Sequence, residues 1–176
     1  TILPNVAYDH IEVTEPLLAL MPKVDCLCFG TLAQRAPTSR RTLRQLFAAS
    51  PNSVRLLDIN LRQDCYTPHT VRQSLEQATI LKLNEHEVQY LAGFLSLPKD
   101  DLARFSRNII EHCHLQHCVV TLGEKGALAT SQSGETIYEP GYRIKVADTC
   151  GAGDAFTAGF LHGLLNHESL IDVADW

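Results

Sequence analysis

Several features that would place a chain in a special class are missing from these 176 residues. No long basic run occurs and the formal net charge is -5, which disfavours non-specific binding of nucleic acid. No apolar run approaches the length of a membrane span, and the first ten residues do not resemble a secretory signal. We therefore expect a cytoplasmic protein that binds neither nucleic acid nor membranes.

Disulfide bonds are also not expected, although the chain contains six cysteines. An even count could indicate a disulfide framework, but hydrophobic residues make up 45% of the chain and supply an ample core without covalent cross-links. We predict reduced thiols, with Cys26 and Cys28 in the core. The segment HCHLQHC at 112–118 could suggest a metal site, but it spans a helix end and a strand start, so buried structural residues are favoured.

The composition predicts one packed domain over residues 1–176. Internal repeats, low-complexity tracts and linkers are not visible in the sequence. The first residues already have the character of structured sequence, and the segment LIDVADW stops in the middle of a helical pattern. We therefore expect this domain to be a C-terminal-side piece of a longer protein.

Apolar segments alternate with segments of helical periodicity, which predicts an α/β fold with a largely parallel sheet flanked by helices. The predicted strands are 25–30, 54–60, 79–84, 117–123 and 142–148, with a hairpin around Ser133-Gly134, and the predicted helices are 39–50, 70–78, 85–94, 100–113 and a buried helix after residue 153. Ligands of such sheets bind beyond the carboxyl ends of the strands. Polar residues are concentrated at those ends.

The segment DTCGAGDAFTAGF at 148–160 combines small residues with an acid at the start of a helix. The first turn of a helix has N–H groups without intrahelical acceptors and a positive dipole end. With Gly151, Ala152 and Gly153 there, these N–H groups could approach a phosphate or a developing oxyanion closely. The dipole favours ionised Asp154, which would be repelled by phosphate but could take a proton from an attacking hydroxyl. This pattern favours phosphoryl transfer to an alcohol.

Two other interpretations of this segment stay open on spacing alone. A dinucleotide site would begin with G-x-G, but Phe156 occupies the position of the third glycine and Asp154 would face the pyrophosphate. Alternatively, the glycines could form a tight turn with Asp154 as a capping acid. The chain contains no G-x-x-x-x-G-K-[ST] motif, which excludes a P-loop protein of that type.

Five segments together resemble the PfkB, or ribokinase-like, family of carbohydrate kinases, in the order in which that family has them. They are FGTLAQR (29–35), LLDINLR (56–62), ILKLNEHEVQYLAG (80–93), VVTLGEKGALA (119–129) and KVADTCGAGDAFTAGF (145–160). The resemblance covers most of the chain. The first and second segments, with the Val6–Asp9 start, resemble the fructokinase branch most.

The resemblance implies a role for each matching residue. Asp154 is expected to be the catalytic base, and Gly151, Ala152 and Gly153 to form the anion hole. Asn84 and Glu87 match the N-x-x-E pair that organises Mg²⁺, a hard cation that keeps much of its water shell. Thr121, Gly123 and Gly126 are expected to contact the nucleotide. Asp58, Asn60 and Arg62 are expected to contact the acceptor and phosphate. Asp148 and the Cys150 carbonyl are expected to hold a monovalent cation.

The resemblance therefore implies an ATP-dependent sugar kinase, with fructose as the leading acceptor. The implied cofactors are ATP and Mg²⁺, and K⁺ is a candidate activator. A homodimer is the candidate assembly. Two alternatives remain: a kinase of another sugar or of a nucleoside, and a catalytically incomplete binding or regulatory module. The family's Gly-Gly signature, sugar-binding acid and lid have no match within these residues. The family's C-terminal part of the nucleotide pocket has none either.

Overall fold

The computed structural model describes residues 2–142, 145 and 148–174. Its residues form two compact units, Thr1–Ala78 and Thr79–Trp176. The strand predicted at 142–148 lies mostly outside the described residues. The expectation of one domain stays a prediction.

Among its described residues, the first unit contains two parallel strands and three α-helices. Its elements are α1 (Glu15–Leu20), β1 (Cys26–Phe29), α2 (Pro37–Ala49), β2 (Val54–Asp58) and α3 (Pro68–Gln77), with 3₁₀ turns at Ala7–Asp9, Met21–Lys23 and Leu32–Gln34. Strand β1 pairs in parallel with β2, with Cys26 opposite Val54. The predicted bounds of β1, β2, α2 and α3 lie within a few residues of these, whereas α1 was not predicted.

Local sequence explains where the helices of this unit begin. Helices α2 and α3 each start on a proline, whose fixed φ suits the first helical position and whose missing N–H would have no intrahelical partner there. The Thr67 hydroxyl also caps α3 by accepting from the Thr70 N–H at 3.1 Å. Edge-to-face packing of Phe47 on Phe29, at 4.9 Å between ring centroids, holds α2 against β1.

The prediction of a core position for both β1 cysteines is wrong. Cys26 is only half-buried and Cys28 is exposed. Apolar residues on a strand are fully buried only where other elements cover both faces of the sheet. In β1 only Phe29 reaches the core, whereas Leu56 and Leu57 in β2 are inaccessible to solvent.

An ion pair joins the start of the described chain to the segment after β1. Arg35 donates to both carboxylate oxygens of Asp9 at 2.7 Å and to the Leu3 carbonyl at 2.6 Å. It also donates to the Cys65 sulfur at 3.5 Å and lies over the Tyr8 ring. The Asp9 side chain is 6% exposed. Hydrogen bonding from Arg35 lowers the pKa of Asp9 to about 2.

In the part of the chain that the structure describes, the second unit contains four strands and four helices. Its elements are β3 (Ile80–Asn84), α4 (Glu85–Leu95), α5 (Leu102–Cys113), β4 (His117–Thr121), β5 (Ala127–Ser131), β6 (Thr136–Glu139), α6 (Ala152–Leu165) and α7 (Leu170–Ala174), with a 3₁₀ turn at Gly123–Lys125. Strand β3 pairs in parallel with β4, and β4, β5 and β6 pair antiparallel in succession. The hairpin predicted around Ser133-Gly134 is thus present as β5 and β6.

Burial in this unit is concentrated where helix and strand pack face to face. Leu81, Leu83, Val119 and Val120 of the parallel pair are inaccessible to solvent, as is Phe105 of α5. Buried apolar residues at successive strand positions are typical of strands covered on both faces. The parallel pair positions the carboxyl ends of β3 and β4 side by side, with Asn84 opposite Thr121.

The prediction that α6 is buried is wrong for most of its length. Within the described residues only Thr157, Phe160 and Gly163 are buried, whereas the first turn is exposed. Alanine and glycine contribute little side-chain surface, so a helix can look apolar in sequence without presenting a broad face for packing. Gly163 is needed because Val173 of α7 lies where its side chain would be, with Val173 Cγ2 2.7 Å from an ideal Cβ.

The cysteine- and histidine-rich segment 112–118 is only partly buried: Leu115 and Cys118 lie in the core, whereas His112 and His114 are exposed. Burial raises the pKa of the Cys113 thiol to about 11 and that of the Cys118 thiol to about 12, and lowers the pKa of His117. His117 packs edge-to-face on Phe160. All six cysteines are free thiols.

The α/β fold class predicted from the sequence is confirmed. Parallel pairing joins β1 to β2 and β3 to β4, and helices accompany the strands in both units. Among the residues that the structure describes, no helix has both the length and the apolarity needed to cross a membrane.

The Asp9–Arg35 pair generates a prediction about pH dependence. A carboxyl with a lowered pKa in the folded state stabilises the fold above its unfolded pKa, here 3.8, and this contribution is lost as pH falls towards about 2. We expect Asp9→Asn to lower the free energy of unfolding at about pH 6, and the difference from wild type to shrink towards about pH 2. Urea denaturation across that range measures it.

The matched control is Asp25→Asn, which removes an exposed carboxylate from the same unit. Its difference from wild type should be small at every pH, since exposed charges contribute little. An Asp9→Asn protein as stable as wild type near neutral pH would contradict the assigned role of the pair.

Candidate active site

The amino end of α6 is built so that ligands can approach its backbone. Gly151, the residue that precedes the helix, has φ 81°, a left-handed conformation in which glycine is strongly favoured. Among the described residues, no side chain caps this helix, whereas Asn84 and Asp101 cap α4 and α5. The helix start therefore presents backbone N–H groups rather than side chains.

The turn that leads into α6 is fixed by local hydrogen bonds. The Cys150 N–H donates to Asp148 Oδ1 at 2.9 Å, and the Ala152 N–H donates to the Thr149 carbonyl at 3.2 Å. Asp148 and Cys150 are both exposed. The two residues predicted to hold a monovalent cation are thus brought together in one turn.

Asp154 lies in the first turn of α6, three residues after Gly151. It is exposed, as are Gly151, Ala152 and Gly153. The residues predicted for the base and for the anion hole therefore share one helical turn. An exposed carboxylate beside exposed N–H groups can reach a substrate hydroxyl while the backbone binds an anion.

Asn84 and Glu87 form a reciprocal capping box at the start of α4. Asn84 Oδ1 accepts from the N–H groups of His86 and Glu87 at 3.0 and 3.1 Å, and Glu87 Oε2 accepts from the Asn84 N–H at 2.8 Å. Glu87 is only 6% exposed, so it is not a solvated surface acid. Asn84 thus caps α4, and the same contacts fix the orientation of the Glu87 carboxylate.

A cavity of about 300 Å³ lies between the turn after β4, the segment after β6 and the start of α6. Its lining includes five of the predicted site residues, which are Thr121, Gly123, Gly126, Ala152 and Gly153. The other lining residues are Ala127, Glu139, Pro140, Gly141, Tyr142 and Phe156. One cavity thus joins the predicted nucleotide contacts to the predicted anion hole. The lining is mainly apolar, which suits a flat aromatic group.

Close backbone approach explains two glycines of this cavity. Gly126 has φ 101°, and a side chain there would collide with the backbone at Glu139 and Pro140. A side chain on Gly141 would collide with the Glu124 carbonyl. Only glycine lets these two segments lie against each other and form the cavity wall.

Asp58, Asn60 and Arg62 belong to the first unit and follow β2. Asp58 is half-buried at the end of the strand, whereas Asn60 and Arg62 are exposed. The Ile59 carbonyl accepts from the Thr31 hydroxyl at 3.0 Å, and a side chain on Gly30 would reach within 3.0 Å of the Asp58 carbonyl. These contacts fix the backbone of the block against the end of β1. The predicted roles of its three side chains stay predictions.

A lysine that was not predicted from the sequence lies beside the proposed anion hole. Lys82 is 9% exposed in the middle of β3, and its Nζ lies 3.0 Å from an ideal Cβ built on Gly153. A charged residue within the apolar run ILKLN was a signal that could have identified it, because lysine is rarely buried without a specific reason. The Glu139–Tyr142 wall could not have been found from spacing.

Three proteins illustrate what the chain is similar to. Deoxyribokinase of Salmonella typhi is 37% identical over 79 residues, which are 45% of this chain and 25% of that protein. A sugar kinase of Pyrococcus horikoshii, solved in complex with ATP, has a TM-score of 0.75 at 24% identity and covers 97% of this chain and 54% of its own. A fructokinase variant of Vibrio cholerae, solved with fructose, ADP and potassium, has a TM-score of 0.68 at 27% identity. The match covers 80% of this chain and 46% of the fructokinase chain.

The chain thus spans about half the length, or less, of the proteins that it matches. The solved structures share its α/β fold, which confirms the predicted ribokinase-like architecture. Residues 5–175 match the sequence pattern of the pfkB family carbohydrate kinases, over nearly the whole chain. The chain belongs to the pfkB family of carbohydrate kinases.

Proposed function

We propose that the protein transfers the terminal phosphoryl group of ATP to a hydroxyl group of a sugar. The observation that carries the proposal is the single helical turn in which Asp154 accompanies the exposed backbone of Gly151, Ala152 and Gly153. Family membership adds the reaction class. Phosphoryl transfer depends mainly on positioning and charge stabilisation, and this turn offers both a base and an anion site.

In the proposed reaction, Asp154 accepts the proton of the sugar hydroxyl as that oxygen attacks the terminal phosphorus. A new oxygen–phosphorus bond forms, the bond from phosphorus to the bridging oxygen breaks, and ADP leaves with the electron pair. The first-turn N–H groups of α6 stabilise the charge on the transferring phosphoryl oxygens. Repulsion between Asp154 and these oxygens keeps the carboxylate on the hydroxyl side of the site.

The cavity beside α6 accounts for nucleotide binding in this proposal. Its apolar walls suit the base, and Gly123 and Gly126 leave backbone exposed towards it. Gly153 belongs to the cavity lining and to the anion hole. One nucleotide could therefore place its base in the cavity and its terminal phosphate at the helix start.

The residues of the N-x-x-E pair fit a magnesium ion. Glu87 supplies a mostly buried carboxylate held in place by the Asn84 N–H, and oxygen ligands with a water-rich shell are what Mg²⁺ prefers. When bound, Mg²⁺ would neutralise part of the phosphate charge. Asn84 and Glu87 would orient its water shell, and the capping box fixes both residues for that task.

Fructose is the acceptor that we propose first, on the resemblance of 29–35 and 56–62 to fructokinases and the likeness to the Vibrio cholerae fructokinase. The likeness to deoxyribokinase supports another sugar as the alternative. Residues Asp58, Asn60 and Arg62 are the proposed acceptor and phosphate contacts, since an Arg guanidinium binds phosphate oxygens in a bidentate manner. The homodimer stays a prediction.

Substrate assays with the complete protein test the proposed function. We expect ATP-dependent phosphorylation of fructose, detected by mass spectrometry of the product and by matched release of ADP, with 2-deoxyribose and a nucleoside as competing acceptors. Tight binding of NAD with no response to ATP would overturn the kinase proposal. Binding of ATP without transfer to any acceptor would favour the regulatory alternative.

Another prediction concerns Asp154, the proposed catalytic base. Asp154→Asn keeps the size and position of the side chain but cannot accept the hydroxyl proton, so we expect kcat to fall by about 10²–10⁴. ATP affinity should be unchanged or higher, because a charge that repels phosphate is removed. Steady-state kinetics and ATP titration of the complete protein measure both quantities.

The comparison variant is Gly153→Val, which crowds the first-turn N–H groups and should weaken stabilisation of the transferring phosphoryl group. The two variants then separate proton transfer from anion binding. Near-normal turnover of Asp154→Asn would show that Asp154 is not the base and only interacts favourably with the helix dipole.

A further prediction concerns the Asp148–Cys150 turn. A monovalent cation held by the Asp148 carboxylate and the Cys150 carbonyl would order the turn before Gly151, so we expect turnover to rise with K⁺. The measurement is turnover in K⁺ against turnover in tetramethylammonium at matched ionic strength. Equal rates would contradict the proposed cation site.

A further inference from the structure

Lys82 is a buried cation in the middle of an otherwise apolar strand. It is 9% exposed, and its strand neighbours Leu81 and Leu83 are inaccessible to solvent. Lys82 pairs across the sheet with Val119, which is also fully buried. A charge is costly to remove from water, so a lysine at such a position almost always interacts with a polar or charged group of the protein or of a ligand.

The Lys82 ammonium lies at the amino end of α6. An ideal Cβ on Gly153 would be 3.0 Å from Lys82 Nζ. Gly153 is the second residue of α6, and φ at Gly153 is not in the left-handed region, unlike φ at Gly151. Backbone conformation therefore does not require glycine at 153, where alanine would favour the helix. A side chain there would press on the Lys82 ammonium, which would have to shift by a few tenths of an ångström.

This placement concentrates positive potential in one spot. The amino end of a helix is the positive end of its dipole, which disfavours a neighbouring cation and favours an anion. An ammonium packed there raises the potential further, so the arrangement is most favourable when a multiply charged anion is bound. Lysine is suited to this role because it acts as a compact point charge on a long stem.

We propose that Lys82 is a further catalytic residue, whose ammonium contacts the phosphoryl group during its transfer at the α6 helix start. This inference rests on the proposed function of the same site. The ammonium keeps its proton throughout and exchanges none with Asp154. Its charge stabilises the negative charge on the phosphoryl oxygens from the β3 side, while the first-turn N–H groups of α6 do so from the helix side.

The test compares Lys82→Met with wild type in the complete protein. Methionine keeps the length and apolar character of the stem and removes the charge. We expect kcat to fall by about 10²–10³, as for loss of one oxyanion-hole donor, with the KM for the sugar nearly unchanged. The preference of the protein for ATP over ADP should fall by about tenfold, because the lost contact is to the terminal phosphate.

Two controls separate this role from a structural one. Lys99→Met removes an exposed lysine and should leave kcat and Tm unchanged. In Lys82→Met, Tm should be unchanged or higher, since a buried charge is replaced by an apolar group. A Tm that falls together with equal losses of ATP and ADP binding would overturn the proposal and assign Lys82 to the fold.

A double-mutant cycle with Gly153→Ala tests the contact itself. The added methyl group should displace the ammonium in the wild-type background and lower kcat, but it should have a smaller effect in Lys82→Met, where no ammonium is present. Equal effects in both backgrounds would show that Lys82 does not act at Gly153.

Failure of the inference and failure of the proposed function are distinguishable. A Lys82→Met protein with kcat within about threefold of wild type refutes the role of Lys82 and leaves the kinase intact. A wild-type protein that phosphorylates no acceptor refutes the proposed function. The Lys82 contact is then still supported if wild type prefers ATP to ADP and Lys82→Met has lost that preference, and it is refuted if the two proteins bind both nucleotides alike.

Discussion

The positive electrostatic potential at the amino end of α6 is the constraint on which the rest of the site depends. Gly151 starts the helix in a left-handed conformation, and among the described residues no side chain caps it. A helix start left in this state is stabilised best by an anion. The exposed Asp154 in the same turn, the adjoining cavity and the buried Lys82 each take their proposed chemical role from that anion.

Three glycines of the second unit leave room around the start of α6 that side chains would fill. Gly126 and Gly141 let two backbone segments lie against each other and form the cavity wall, and Gly153 leaves room for the Lys82 ammonium. Each could be replaced only at the cost of a collision or a displaced charge. The capping box of Asn84 and Glu87 adds rigidity by fixing a mostly buried carboxylate at the start of α4.

The sequence predicted the features that depend on local pattern. Strand β3 and helix α4 were placed within about a residue, because a short apolar run followed by N-x-x-E marks a strand end and a helix start. Features that depend on packing were missed or wrong. Exposure of Cys28 and of the first turn of α6 is set by what covers them, and the Asp9–Arg35 pair joins residues that are distant along the chain. Lys82 was visible as a charge in an apolar strand, but only the structure shows that it reaches Gly153.

A crystal structure of the complete protein with a non-hydrolysable ATP analogue and fructose tests the central claim most directly. The account predicts that the terminal phosphate of the analogue accepts hydrogen bonds from the first-turn N–H groups of α6, with the Asp154 carboxylate within hydrogen-bond distance, about 3 Å, of one sugar hydroxyl. A terminal phosphate bound away from Gly153, or a sugar with no hydroxyl near Asp154, would contradict it.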